Sequence, residues 1–187
     1  MTRPGLLAVL SLPLCTACGL DQLVDTDLGD APRCAQVDRW PADSADAEDE
    51  LLDAIDALRR TGAECPGVMD PVAGVGPLEP SPSLQCAARL HAGDLIRRPE
   101  LEVDHEGSDG LSTLARANAA GYDGITRQEL LAGDYATGDD LVEAWRNDQA
   151  HCLAILDGDL DHVGVAQAQS PEGDRIVWVV VTGQERR

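Results

Sequence analysis

The sequence predicts an α/β/α sandwich, and three observations predict it. Amphipathic helical patterns come first, a two-strand hairpin pattern closes the chain, and the last strand is apolar on both faces. That strand, Arg175 to Thr182, contains the run IVWVVV and belongs in the middle of a sheet covered on each side. At 187 residues the chain is long enough for one domain with a substantial core and an export segment. No internal repeat is present.

The elements follow in order. Ser44 to Arg60 reads as a helix: acidic residues crowd its start, and Arg59 and Arg60 close it, which suits the helix dipole. Leu51, Leu52, Ile55 and Leu58 form one apolar stripe, and Gly62 supplies the stop. Residues 66–80 are rich in Pro and Gly and read as a loop. Ser81 then caps a second helix with Pro82 in its first turn. Leu84, Ala88, His91 and Leu95 share one face of it, so His91 reads as a core histidine. Leu111 to Ala120 reads as a third helix closed by Gly121. Thr137 and Asp140 resemble a capping box for the helix carrying Trp145. A short polar turn follows, then a second apolar stripe with His151 and Cys152. His162 to Gln169 alternates Val163 and Val165 with small or polar residues, and SPEGD turns it into the final strand. His162 itself reads as solvated, and Trp40, Trp145 and Trp178 read as core anchors.

The N-terminus reads as an export segment. Arg3 is followed by an apolar run, Leu6 to Leu14, too short to span a bilayer as a stable helix. CTAC resembles a lipobox, with Thr16 and Ala17 preceding Cys18. Lipidation at Cys18 is therefore expected, ahead of simple secretion with cleavage after Ala17. The expected organisation is a lipoprotein signal peptide over 1–17, an acidic tether over 18–43 pinned by Cys34, and a domain over 44–187.

The formal charge is −20, and no lysine occurs. Such a surface repels nucleic acid and anionic headgroups, so no nucleic-acid partner is expected and membrane attachment must come from the anchor. No GxSxG elbow, phosphate-binding loop or HExxH is present. DGDLDH, from Asp157, fails as an EF-hand because His162 and Ala168 stand where Gly and Glu are needed. Cys34, Cys65, Cys86 and Cys152 lack CxxC spacing, which argues against a zinc–thiolate site, and their even number in an exported chain reads as disulfides. Four cysteines allow three pairings.

Three segments, in order, resemble the CAP superfamily of cysteine-rich secretory and pathogenesis-related proteins, in its bacterial lipoprotein branch. LVEAWRNDQAHCLAIL, Leu141 to Leu156, resembles the family's W…GHxxNI signature. His105 in DHEGSDG resembles a SHxxPDG-like loop, and Glu129 in RQELLAG resembles GENIAAG. Departures exist: Gln128 and Leu130 flank the Glu, Gln149 and Ala150 replace a Pro-Gly turn, Ala154 replaces Asn, and Val181 stands where an aromatic is common. The resemblance covers roughly residues 45–185 and implies helices on both faces of a small, mainly antiparallel sheet.

The resemblance also bears on the disulfides. Relatives with HCANI often carry a matching cysteine in CAAR, which implies Cys86–Cys152 here. That leaves Cys34–Cys65, feasible because ten extended residues, about 33 Å, can return along a helix of about 24 Å. In many CAP proteins two histidines and two acidic residues line one cleft. His105, Glu129 and His151 match three of those positions, Asp148 stands at the fourth, and Glu143 is the fallback.

The expected function is that of an exported, lipid-anchored protein facing the periplasm or cell surface. It would bind a lipid, peptide, glycan or protein partner in the His/Glu cleft, with no required cofactor. The alternative is a hydrolase dependent on zinc or another divalent cation, with His105 and His151 as ligands and Glu129 as ligand or general base. A third reading is a structural envelope protein.

Overall fold

The computed structural model describes residues 22–187, so the signal peptide and Cys18 lie outside the described residues. Its elements are β1 (Leu23–Asp25), β2 (Arg39–Pro41), α1 (Ala42–Thr61), β3 (Glu79–Pro80), α2 (Pro82–Ile96), α3 (Thr113–Ala119), β4 (Ile125–Gly133), α4 (Gly138–Arg146), α5 (Gln149–Ile155), β5 (His162–Gln169) and β6 (Ile176–Gln184). The main sheet runs β3-β5-β6-β4, with β5–β6 and β6–β4 antiparallel and the short β3 parallel to β5. The expected caps are formed: Ser81 accepts from the Leu84 amide, and Thr137 accepts from the Asp140 amide.

β6 lies inside the sheet and is buried on both faces, which explains its unbroken apolar run. Val177, Val179 and Val181 pack beneath α2 and α3 with Leu84, Leu95 and Ala117. Trp178 and Val180 pack on the opposite face with Leu51, Leu141, Trp145 and Ile155 of α1, α4 and α5. α2 sits so close to β5 that a Cβ on Gly164 would lie 2.1 Å from the Leu84 carbonyl carbon, so only glycine fits there.

The tether expected over 18–43 does not hold for its described part. β1 pairs antiparallel with β2, and Leu28, Cys34, Val37 and Trp40 are buried against the α2 face. These apolar residues are scattered among Asp, Pro and Gly, and together they cover an edge of the core that a separate tether would leave wet.

A buried ion pair joins this segment to the rest. Glu48 of α1 and Arg89 of α2 meet at 2.6 Å with both side chains almost fully buried. Glu48 also accepts from the Gln85 side chain at 2.8 Å and from the Gln167 amide of β5 at 3.2 Å. Arg89 donates to Thr26 Oγ1 at 3.0 Å and lies over the Trp40 ring. Burial pushes the Glu48 carboxyl up from 4.5 to about 7 even beside Arg89.

The disulfides are Cys34–Cys86 and Cys65–Cys152, not the expected Cys34–Cys65 and Cys86–Cys152. The sheet explains the difference. Cys34 and Cys86 belong to the core under α2, whereas Cys65 and Cys152 belong to the core under α1. Each bond staples one face, and the expected pairs would have had to cross the sheet.

Non-reducing peptide mapping should recover these two pairs, and any cross-face pair would overturn this assignment. The Cys65–Cys152 bond closes the longer loop, with a sequence separation of 87. Removing it by paired Ala substitution should cost roughly 4 kcal/mol in urea unfolding. The raised Glu48 pKa has a defined sign. The folded chain keeps a proton that the unfolded chain releases, so this contribution is full below about 4.5 and lost as pH rises through about 7. Between about pH 5 and pH 8, stability should fall more steeply in the wild type than in E48Q, and parallel profiles would contradict the assignment.

Candidate functional site

Glu129 is the centre of the site. Along β4, Leu130 and Ala132 pack on the α1 side while Leu131 packs on the α2 side. Strand alternation therefore turns Glu129 toward α2 and α3. Its side chain is 2% exposed. Arg116 of α3 donates to Glu129 Oε1 at 2.8 Å. His105 Nδ1 lies 2.9 Å from Oε2, and His91 Nε2 of α2 lies 3.8 Å from the same oxygen.

Each partner is itself fixed. Arg116 donates to the backbone oxygens of His105 and Leu111, which folds the 105–111 loop around the guanidinium. Gly107 lies against the Asp109 carboxylate, and a Cβ there would stand 2.6 Å from Asp109 Oδ1. His91 is fully buried, and its Nε2 donates to the Asp104 carbonyl at 2.8 Å. Burial lowers the His91 pKa, outweighing the attraction of Glu129, and keeps the ring neutral. The result is a buried cluster with one imidazole, His105, 66% exposed at its surface.

Asp148 and His151 form a second pair. Asp148 caps α5, accepting from the His151 amide at 3.0 Å, and His151 Nδ1 lies 2.9 Å from the same oxygen. These bonds from His151, the amide first, hold the Asp148 carboxyl below the usual carboxylate range. The His151 ring stacks on Trp145, with ring centroids 5.9 Å apart. Glu143 pairs with Arg146 on α4.

The structure thus brings His105 to Glu129 and His151 to Asp148, and no hydrogen bond or ion pair joins the two pairs among the described residues. α3 packs in the core under α2, and α5 packs in the core under α1. With Cys152 tied to Cys65, the His151 turn is braced on the α1 face, so the covalent link expected to draw it toward His105 is absent. Among the described residues no group of three His, Cys, Asp or Glu side chains is arranged to hold a metal ion. The donor chemistry agrees: both Glu129 oxygens are engaged by cationic or ring N–H partners, and Asp148 is engaged as a cap.

His91 and Arg116 complete the cluster and were not anticipated as site residues. An ionisable ring on the apolar stripe of α2 needs a buried partner, and that requirement was the signal for His91. Arg116 had no comparable signal, because a single arginine in a short helix reads as solvated. His162, expected to be solvated, is half-buried with its Nδ1 2.9 Å from the Tyr122 hydroxyl. Burial pushes the Tyr122 pKa up to about 12.

Unequal roles follow for the two sides of this cluster. E129Q strips the counter-charge from buried Arg116 and should cost about 3–5 kcal/mol in urea unfolding. H105A removes an exposed partner and should cost less than about 1 kcal/mol. Equal losses would contradict the geometry.

Comparison with known proteins agrees with this architecture. The profile of the cysteine-rich secretory protein family, CAP, matches residues 52–182. No curated protein sequence matches significantly. An outer surface protein from Borrelia burgdorferi superposes with a TM-score of 0.58 at 19% identity, covering 84% of this chain and 97% of that one. An extracellular SCP-domain protein from Bacillus anthracis gives 0.60 at 12% identity, over 76% of this chain and 41% of that one. A cysteine-rich secretory protein from Staphylococcus aureus gives 0.52 at 14% identity, over 78% of this chain and 41% of that one. At these identities the likeness is one of fold. The family match spans most of the domain, and the chain belongs to the cysteine-rich secretory protein (CAP) family.

Proposed function

We propose that this CAP-family chain is an exported, lipid-anchored binding domain that engages a lipid, peptide, glycan or protein through the exposed face of His105, without catalysis. The observation that carries this reading is the state of Glu129. A general base needs a free carboxylate oxygen within reach of a substrate proton. Both oxygens here are buried and held by Arg116 and His105. His105, in contrast, has its Nδ1 occupied and its ring largely exposed, which leaves Nε2 for an outside partner.

Export and anchoring are supported by the N-terminal pattern and by CTAC ending at Cys18. The similar proteins of Borrelia burgdorferi and Bacillus anthracis are named as outer-surface and extracellular. Because β1 already begins at Leu23, an anchor at Cys18 would be joined to the domain by about five residues, reaching at most roughly 17 Å. The β1–β2 hairpin would then face the bilayer closely, without help from charge.

Two experiments test the reading. C18S should move the protein out of the membrane fraction or block its maturation, and unchanged attachment with normal maturation would remove the anchor. Protein purified without chelator should contain substoichiometric metal and show no turnover on ester, peptide and phosphodiester substrates with added zinc, magnesium or calcium. Stoichiometric zinc with turnover abolished by both H105A and H151A would instead establish the hydrolase.

A further inference from the structure

The main sheet has two edges, and the fold treats them differently. Along β5, side chains take up the outward backbone groups. Gln85 accepts from the Val165 amide, Glu48 accepts from the Gln167 amide, and Trp40 donates to the Gln167 carbonyl. β4 forms the opposite edge.

Strand pairing fixes which β4 groups face outward. The Asp134 amide donates to the Ile176 carbonyl, so Leu130 and Ala132, opposite Val180 and Trp178, also turn their backbone groups to β6. Glu129, Leu131 and Gly133 therefore turn N–H and C=O away from β6. None of these six groups has a hydrogen-bond partner among the described residues. They are also reachable. Glu129 is half-buried as a residue although its side chain is 2% exposed, so its open surface is main chain. Gly133 is half-buried and has no side chain, and Leu131 is half-buried between them.

The open run has fixed ends. A bulge between Thr126 and Glu129 breaks the ladder on one side, and Asp134 turns the chain with a φ of 63° on the other. Five residues of strand, about 16 Å, remain between them. Open edges are normally guarded by Lys, Pro or a covering element, and Glu129–Gly133 contains neither residue.

The flank of this edge is acidic. The loop carrying His105 runs along it, with His105 on Glu129 and Leu101 close to Gly133. Glu102, Asp104 and Glu106 are exposed on that loop, and exposed Asp134 follows Gly133. In a chain of formal charge −20, edge-to-edge pairing of two copies would set these carboxylates against their equals. A basic partner meets no such repulsion.

We propose that β4 binds an extended peptide of basic character, which adds a strand to the sheet along Glu129–Gly133. Its main chain answers the open backbone groups, and its Lys or Arg side chains answer the acidic flank. The inference rests on the reading that the ligand is met beside His105, and it names that ligand.

The test is a titration of the full chain with the blocked peptide Ac-KTVTVTK-NH2, followed by backbone-amide NMR and hydrogen exchange. Saturable binding is expected, with exchange at the Glu129, Leu131 and Gly133 amides slowed at least tenfold. Only one alternate set of peptide amides can face β4. N-methylation of that set should weaken binding at least tenfold, about the loss of one hydrogen bond, and methylation of the other set should not. The acidic analogue Ac-ETVTVTE-NH2 should also bind at least tenfold more weakly. The proposal is overturned by no saturable binding, by equal binding of the parent and both methylated forms, or by equal binding of the acidic analogue. A dimer that protects the same three amides without peptide overturns it in favour of a second copy. H105A separates the two readings. Peptide binding that H105A leaves unchanged would overturn the role of His105 and not the strand pairing. A peptide that fails, while glycan or lipid binding is lost in H105A, would overturn the pairing alone.

Discussion

The Glu48–Arg89 ion pair is the constraint on which the other features depend. α1 and α2 cover opposite faces of the sheet, and they meet only where the sheet runs out, beside β5. There the β5 backbone would be left with open N–H groups at a buried edge. Gln85 takes the Val165 amide, Glu48 takes the Gln167 amide, and Arg89 neutralises Glu48. The same guanidinium reaches Thr26 and the Val37 carbonyl, so the N-terminal segment is folded by the charge that closes the edge. A pair this buried is a costly way to gain stability. What it specifies is the position of the two helices and the first strand.

The two faces then diverge in use. Under α2 lie buried Glu129 and Arg116 with neutral His91 beside them. Under α1 the buried charge is Arg59, which donates to the Gly76, Ile155 and Asp157 carbonyls, while Asp148 caps α5 and His151 leans on Trp145. One disulfide braces each face. The family's four cleft positions are thus present as two hydrogen-bonded pairs, Glu129 with His105 and Asp148 with His151. A buried carboxylate held by an arginine is suited to fixing a loop. It presents His105 to the surroundings.

Much of this was legible in the sequence where the signal is local. Ser81 with Pro82 and Thr137 with Asp140 marked helix starts by their own chemistry. The doubly apolar β6 marked the centre of the sheet. β4 was not legible, because a bulge between Thr126 and Glu129 breaks its alternation and leaves ITRQELLAG with no clean period. The N-terminal hairpin was hidden for a related reason: Leu28, Val37 and Trp40 are buried one at a time among turn residues. The disulfide pairing depended on which face each cysteine occupies, a property of the assembled sheet. In the site, motif likeness located His105 and Glu129, but it could not show that Arg116 had already claimed the carboxylate.

The central claim is that Glu129 serves the fold and His105 serves the surroundings. Double-mutant cycles on unfolding free energy test it most directly, pairing E129Q once with R116M and once with H105A. The account predicts a coupling of several kcal/mol for Glu129 with Arg116 and less than about 1 kcal/mol for Glu129 with His105. A weak Arg116 coupling, together with a dominant one to His105, would contradict it and return Glu129 to the role of an available functional carboxylate.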